Sequence, residues 1–430
     1  LIRLTSALPP ARALLALLAA ALCLTAPPAD ANRIFVPRQH RTIQGAIDAA
    51  SPGDTLWVAA GHYKGPIRIT KNLVVFGDGG PDSTIIDGGD SVRVVHVEGV
   101  RGGRILGFTI RRGKSEGGAG VYCLHDSSFS ISSCIIEKNW PSGIAAWQCP
   151  GLAIVDNVIR QNQESGVSLN FSDAYLRGDH FVENVAPEGG ALAMVHSNLV
   201  GQALDCLFER NRATAGTGGA IFADSSTFAV YRCTFTGNKA SVAGGAISAM
   251  DKSHGLIGGS VFRENHANSG GALHSDESTV NVGFCIFNQN SCNAAAAAIQ
   301  VLRRGSADIN PILSNNTFYL NSSAGEGAAI LCQDVSPEIR KNIFVVAGFV
   351  KAVLGFNSSP LYECNLIYDP TGAEIGSLPS KDTLVGDPRF CDPKQGDFRV
   401  RDLSPAYLAP CGPVGAEVNP CPTFKVLPSN

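Results

Sequence analysis

Charge is scarce in this sequence. Of 430 residues, 34 are Lys or Arg and 37 are Asp or Glu, which leaves a net charge of −3. A nucleic-acid partner needs a strong basic face, so this balance argues against one. Methionine occurs twice and tryptophan three times. The 13 cysteines contain no C-x-x-C pair, which removes the usual zinc spacing. Beyond Ala31 no apolar stretch is long enough to cross a bilayer as a helix. A long alternating C-terminal region of the kind that builds a membrane barrel is missing too. Helical periodicity is also lacking through the middle of the chain. What the chain has in quantity is Gly, at 47 residues, together with short β-branched runs. That combination predicts many short strands joined by tight turns.

The segment from Leu1 to Ala31 reads as an export signal. Arg3 and Arg12 supply positive charge, "ALLALLAAALCL" (13–24) is an apolar run of signal length, and "ADA" (Ala29 to Ala31) is an A-x-A cleavage site. The expectation is an exported protein, secreted or held at a bacterial cell surface. Export makes disulfides possible for the twelve cysteines that remain.

A repeat dominates the middle of the chain. Phe-x-x-Asn or a close variant ends at Asn139, Asn162, Asn184, Asn211, Asn238, Asn265, Asn290 and Asn321. The steps up to Asn184 are shorter than those after it. Gly-Gly-Ala-[Ile/Leu] keeps pace with it, ending at Leu192, Ile221, Ile247 and Leu273. A period of roughly 25 with two or three short apolar strands fits one coil of a parallel β-helix. No coil can bury its apolar face alone, and stacking coils at about 4.8 Å does so. Alternation puts Ile247 and Ala249 inside, Ser248 and Met250 outside. Phe181, Phe208, Phe235, Phe262, Phe287 and Phe318 would then stack inside. The Asn column would bond along the stack, and the Gly pair would turn a sharp corner.

The expected fold is all-β: a right-handed parallel β-helix over 32–370, with repeats at about 115–345. A short amphipathic helix at 42–50, "TIQGAIDAA", would plug its N-terminal end. Strands are expected at "TLWVAA", "IRIT", "LVVFG" and "STIID". Residues 371–430 lose the repeat, gain Pro and read as an irregular C-terminal cap.

Two resemblances follow from these motifs. The paired Gly-Gly-Ala-[Ile/Leu] and Phe-x-x-Asn motifs resemble the repeats of chlamydial polymorphic outer-membrane proteins. That likeness implies a surface-exposed right-handed β-helix with adhesion as the usual role; the autotransporter barrel of those proteins has no counterpart here. The opening stretch 42–88 is similar to that of pectinesterases and other members of the pectin-lyase-like superfamily, which implies the same fold. "KDTL" (Lys381 to Leu384) echoes a pectinesterase motif, but the second motif of that family is missing. "SHGLIGGS" (Ser253 to Ser260) resembles a polygalacturonase segment, without the Asp-Asp pair that family needs. Neither likeness implies a specific enzyme family.

Outward side chains at equivalent turns of a solenoid form columns. One is expected three and four residues after the Gly-Gly-Ala-Ile hydrophobe, holding His125, Gln148, His196, Asp224, Asp251, Asp276, Glu277, Arg303 and Asp334. Neighbouring carboxylates at about 5 Å would suit a retaining glycosidase, and wider pairs an inverting one. Asp251, Asp276 and Glu277 could equally take calcium, the one cofactor the sequence suggests. A lyase would use a cation such as Arg303, with Arg304, and a base such as His274. Tyr122, Trp147 and Phe222 are expected outward on the same strand, as a flat aromatic patch for sugar rings or a protein surface. Cys134, Cys206, Cys233 and Cys285 share an inward column and are expected as free buried thiols. Disulfides are expected among the tail cysteines Cys391, Cys411 and Cys421. The leading expectation is a monomeric, non-catalytic binding or adhesion protein for a polysaccharide or a surface protein. A polysaccharide lyase or hydrolase using the carboxylate column is the alternative, and a structural envelope component the third. A groove with convergent polar groups would mark the enzyme, a flat aromatic face the binder.

Overall fold

The computed structural model describes residues 31–421 apart from 119, 126–127, 306–308, 325–326, 348–350, 373–381 and 418. The expected signal segment, except Ala31, and Lys381 of the "KDTL" echo lie outside the described residues. The chain winds as a parallel β-helix with three long sheets, called A, B and C here, of 14, 14 and 12 strands. Each coil passes from A to B to C, and every neighbour within a sheet comes from the next coil. The inside positions are those alternation predicts: Ile247 and Ala249 are fully buried.

Three ladders of small polar or thiol side chains mark the three corners. Between B and C, the Asn139-to-Asn321 series is continuous. From Asn162 on, each Asn carboxamide oxygen accepts from the backbone N–H and Nδ2 of the Asn one coil earlier, at 2.9–3.1 Å. Between A and B, Asn157, Asp179, Cys233, Ser260, Asn316 and Asn342 accept the amide one coil earlier in the same way, with Cys134, Cys206 and Cys285 interspersed among them. Between C and A, Ser172, Ser197, Ser226, Ser253 and Ser278 accept one another's amides. The four column cysteines are free and buried. Left-handed corner residues precede these ladders, for example Lys138 at φ 55 and Arg210 at φ 50. Inside sheet B seven phenylalanines, Phe181 through Phe344, stack ring on ring at 4.6–4.9 Å.

Asp179 is the odd member of its ladder. It is fully buried, accepts from the N–H and Nδ2 of Asn157 at 2.9 Å, and burial pushes its carboxyl from 3.8 up to about 7. A raised acid holds more protons folded than unfolded, so this group favours the folded state most below pH 4. That contribution is lost as pH rises to 7. Asp179→Asn, which restores the residue type found at Asn157, should therefore raise the urea midpoint at pH 8 and change it little at pH 4. Equal shifts at both pH values would show that Asp179 does not titrate between them.

The uneven repeat length explains a second layer. In the short coils up to Asn184 the chain runs from the ladder Asn almost directly into sheet C. The longer coils that follow add a brief strand after the Asn, and these form a fourth, 6-stranded strip: Val185–Ala186, Arg212–Ala213, Lys239–Ala240, His266–Ala267, Ser291–Cys292 and Ser322–Ser323. After it, Gly244 takes φ +65, and a Cβ on Gly245 would overlap the carbonyl oxygen of Gly271. The Gly pair is thus required by close backbone approach between coils.

At the N-terminal end, the helix Ile43–Ala49 is capped by Thr42, whose hydroxyl accepts from the Gly45 amide, and it buries Ile43, Ala46 and Ile47. The expected strands are present, joined by Arg33–Val36 and Gly61–Lys64, which the sequence patterning does not mark. The C-terminal tail adds the last strand of sheet B, Leu384–Val385 paired with Leu366–Ile367. It forms a hairpin, Phe390–Asp392 with Asp397–Val400, that lies along the outer side of sheet B. Phe390, Phe398 and Val400 cover Ile286, Ile343 and Val345 there. Two disulfides pin it: Cys391–Cys421 within the tail, and Cys364–Cys411 tying it to the last coils. Sheet B leaves apolar side chains facing outward in these coils, and the tail buries them.

Candidate functional site

The sequence placed its candidates on the outward side of sheet C, and the structure divides them. Within each C strand the first and third residues after the leading hydrophobe point outward, and the fourth begins the corner. Asp224 and Asp276 end the strands Ile221–Asp224 and Leu273–Asp276. Asp251, Glu277 and Asp334 sit one step on, in left-handed corners at φ 49, 52 and 57. His125, Gln148 and His196 share that corner conformation, and the Arg303 amide makes the equivalent bond to the Gln333 carbonyl. The expected single column is therefore two adjacent ones. Asp224 and Asp276 share theirs with the strand ending in Met250 between them, so they do not form the close carboxylate pair of a retaining site.

The expected aromatic patch is likewise redistributed. Tyr122 aligns with Ala145, and Trp147 aligns with Leu124, so the two lie in different columns. Tyr122 is half-buried under the Arg93 guanidinium at 4.0 Å. Phe222 is 7% exposed. It is covered because Gly189, from the extra segment of the preceding coil, lies against its Cβ. The same overhang places Gly244 against His274, and Thr217 within 3.8 Å of the Met250 sulfur. Ser248, outward as predicted, is buried for this reason. A few residues added per coil thus act as an awning over part of the face.

Where the coils are short the face stays open. Trp147 remains exposed, and Phe171, which the sequence reasoning does not single out, is 51% exposed. Trp147 meets Phe171 edge-on at 5.6 Å, and Phe171 stacks on the His196 ring at 5.0 Å and 12°. Phe171 occupies the same corner position as His125 and Gln148, four residues after Val167. That offset was the available signal. Beside it, His125, Gln148, Pro150, Phe171 and Asp173 line a depression of ≈ 490 Å³. Asp173 is held by the Asn198 carboxamide at 2.9 Å.

Several coils further along lies a polar cluster. Asp276 is 4% exposed. One carboxylate oxygen meets Arg304 Nε at 3.1 Å, and the other is buried without a hydrogen-bond partner among the described residues. Burial raises its pKa against the pull of Arg304, and the charges of Glu277 and Asp251 add to the rise. Glu277 turns away to accept the backbone N–H groups of Arg304 and Gly305. His274 Nδ1 pairs with Gln300 Oε1 at 3.0 Å, and burial lowers its pKa to about 4. It is neutral at physiological pH, but its 4% exposure leaves no room for a substrate to meet it as a base. Among the described residues no three His, Cys, Asp or Glu side chains gather closely enough to hold a metal, so Asp251, Asp276 and Glu277 do not converge as the expected calcium set. Among the described residues no helix is long and apolar enough to cross a membrane.

Comparison with known proteins places the fold. The sequence model of the right-handed β-helix region matches residues 82–203 and 199–318, more than half of the chain. A search of curated protein sequences gives no match. Among solved structures, an arginine-to-alanine mutant of the PL6 family alginate lyase AlyGC is similar over 90% of this chain and 57% of its own, with 10% identity and a TM-score of 0.51. The catalytic unit of a thermostable GH87 α-1,3-glucanase from Streptomyces thermodiastaticus covers 85% of this chain and 69% of its own, at 14% identity and a TM-score of 0.41. Pectate lyase Pel9A covers 69% and 77%, at 13% and 0.37.

Proposed function

Because the chain belongs to the right-handed β-helix family, we propose that it acts on carbohydrate, as an exported bacterial protein that holds a polysaccharide along the open part of sheet C. The observation that carries this is the exposed row Trp147–Phe171–His196. Rings fixed on a rigid sheet lose little entropy on binding, and their faces suit the apolar faces of sugars. Gln148, Asp173 and His125 border the row and supply hydrogen-bonding groups for hydroxyls. A surface or secreted location, and the adhesive role of the chlamydial repeats, are in keeping with a rigid presenting scaffold. The solved neighbour named as an alginate lyase is also in keeping with a carbohydrate ligand.

A second reading, a lyase or hydrolase, is favoured by Asp276. A buried carboxyl with a raised pKa beside an arginine is the kind of group that serves as a general acid. It stands covered by Arg304, however, and the open aromatic row lies elsewhere.

One experiment separates the two. The mature protein is titrated with a panel of neutral and acidic polysaccharides while reducing-end and unsaturated products are followed. Saturable binding without product, weakened about tenfold or more by Phe171→Ala or Trp147→Ala, is the expected result. Product release abolished by Asp276→Asn would replace the binding reading with the enzymatic one.

A further inference from the structure

The residues that follow the ladder asparagines fall in one line, and those from Trp140 to Lys239 are exposed. Lys114 bridges to Trp140, and Gln163 bridges to Val185. The strip then continues the line from Val185 to Arg212, Lys239 and His266. The backbone is the same at each step: the N–H of Gln163, Val185, Arg212, Lys239 and His266 donates to the carbonyl of the ladder Asn one coil earlier. Successive side chains therefore stand about 4.8 Å apart along the solenoid axis. This line runs along the edge of sheet C opposite to the corner that carries Phe171.

The start of the line lies in a recess. The short coils have no strip, so the extra segment beginning at Val185 ends in a step, and Trp140 forms the floor before it. Two cavities of ≈ 500 and ≈ 470 Å³ meet there and share Trp140, Gln161 and Gln163. Trp140 is 38% exposed, with the Lys114 ammonium 5.7 Å from its ring.

The charge along this line is one-sided. Lys114, Lys138, Arg212 and Lys239 are exposed, and none has a carboxylate within ion-pair distance among the described residues. Of the carboxylates that border the recess, Asp90 is held by Arg112 at 2.8 Å and Glu183 by Arg210 at 3.1 Å. Glu164 alone carries no ion pair among the described residues. In a chain with net charge −3, an unneutralised cationic row beside an open indole is a local feature and not a consequence of composition.

We propose that this line is a second binding site, for a linear acidic polysaccharide, with one sugar ring on Trp140 and carboxylate or sulfate groups on Lys114, Arg212 and Lys239. The ligand lies parallel to the axis, because the cations are spaced along it. The indole separates this from a plain polyanion patch: it needs a ring with an apolar face, whereas cations alone would accept any negative chain.

Isothermal titration of the mature protein with polygalacturonate, heparin, dextran and duplex DNA tests this. Polygalacturonate or heparin should bind, with affinity falling as salt rises; which of the two binds tighter tells carboxylate from sulfate recognition. Trp140→Ala should weaken binding roughly tenfold, with Trp140→Phe recovering part. Arg212→Gln with Lys239→Gln should weaken it and flatten the salt dependence, because two ionic contacts are gone. Lys394→Gln, on the tail, should change nothing. The site is overturned if dextran binds as tightly, if DNA competes equally, or if both the Trp140 and the double variants bind like the parent. These variants spare Trp147 and Phe171, so this result stands or falls separately from that of the sheet C face.

Discussion

Asn211→Ala should cost about 3–5 kcal/mol of stability, far more than an ordinary side-chain truncation of this size. Asn211 is fully buried in the middle of its ladder. Its oxygen accepts from the backbone N–H and Nδ2 of Asn184 at 3.1 and 3.0 Å. Its own Nδ2 donates to the Phe181 carbonyl and to Asn238 Oδ1, each at 3.0 Å. Alanine removes all four bonds at once and offers nothing in return. Water cannot replace them, because Asn184 and Asn238 are themselves fully buried above and below. Each orphaned buried group costs about 1–3 kcal/mol, so two or three suffice for the stated loss. Urea denaturation gives the magnitude. Hydrogen exchange gives the location, since the Asn184 amide should lose protection before amides of distant coils. A destabilisation under about 1 kcal/mol would mean that the ladder bonds contribute only what solvent would have supplied.

The fold is legible because its determinants are local and repeated. Phe-x-x-Asn places a ring inside sheet B and, three residues on, a carboxamide at the corner. The motif thus encodes the two interactions that recur in every coil. The Gly pair is legible for the same reason, although its role is close approach between coils as much as positive φ. The tail is not legible as a side brace. Its placement depends on Ile286, Ile343 and Val345 facing outward on nearby coils, and outwardness along sheet B is set by register. Cys364, the partner of Cys411, sits inside the last repeats and carries no mark of a tail cysteine.

The candidate site is legible only in part. Offsets of three and four residues merge in a sequence reading, although one lies on the strand and the other in the corner. Asp224 and Asp251 therefore fall into one expected column. The larger error comes from the repeat length. The short steps up to Asn184 and the long ones after it look like noise on one period. They decide whether the outer side of sheet C is open, as at Trp147, or roofed, as at Phe222 and His274. The same difference creates the recess at Trp140. A non-repeating residue is informative only once the repeat around it says whether solvent can reach it.

Phe235→Ala should be the most damaging apolar truncation, with an expected loss of about 3–5 kcal/mol from burial and cavity formation. Phe235 is fully buried, with Phe208 at 4.6 Å on one side and Phe262 at 4.8 Å on the other, both within 3° of parallel. The coil spacing, and not the preference of free rings for offset or edge-on pairing, sets this arrangement. The backbone ladders on either side hold the coils apart at that spacing, so the stack cannot close over a missing ring. Poor relaxation puts the cost at the upper end of the range. Phe235→Leu, which fills more of the space, should recover about half of it. Because each coil touches only its neighbours, the damage should divide the solenoid: coils on either side should unfold at separable denaturant midpoints where the parent shows one. Tryptophan fluorescence reports the N-terminal part alone, since Trp57, Trp140 and Trp147 all precede the cut, while circular dichroism reports both. Coincident transitions in the two signals for Phe235→Ala would show that the stack stays cooperative across a broken step.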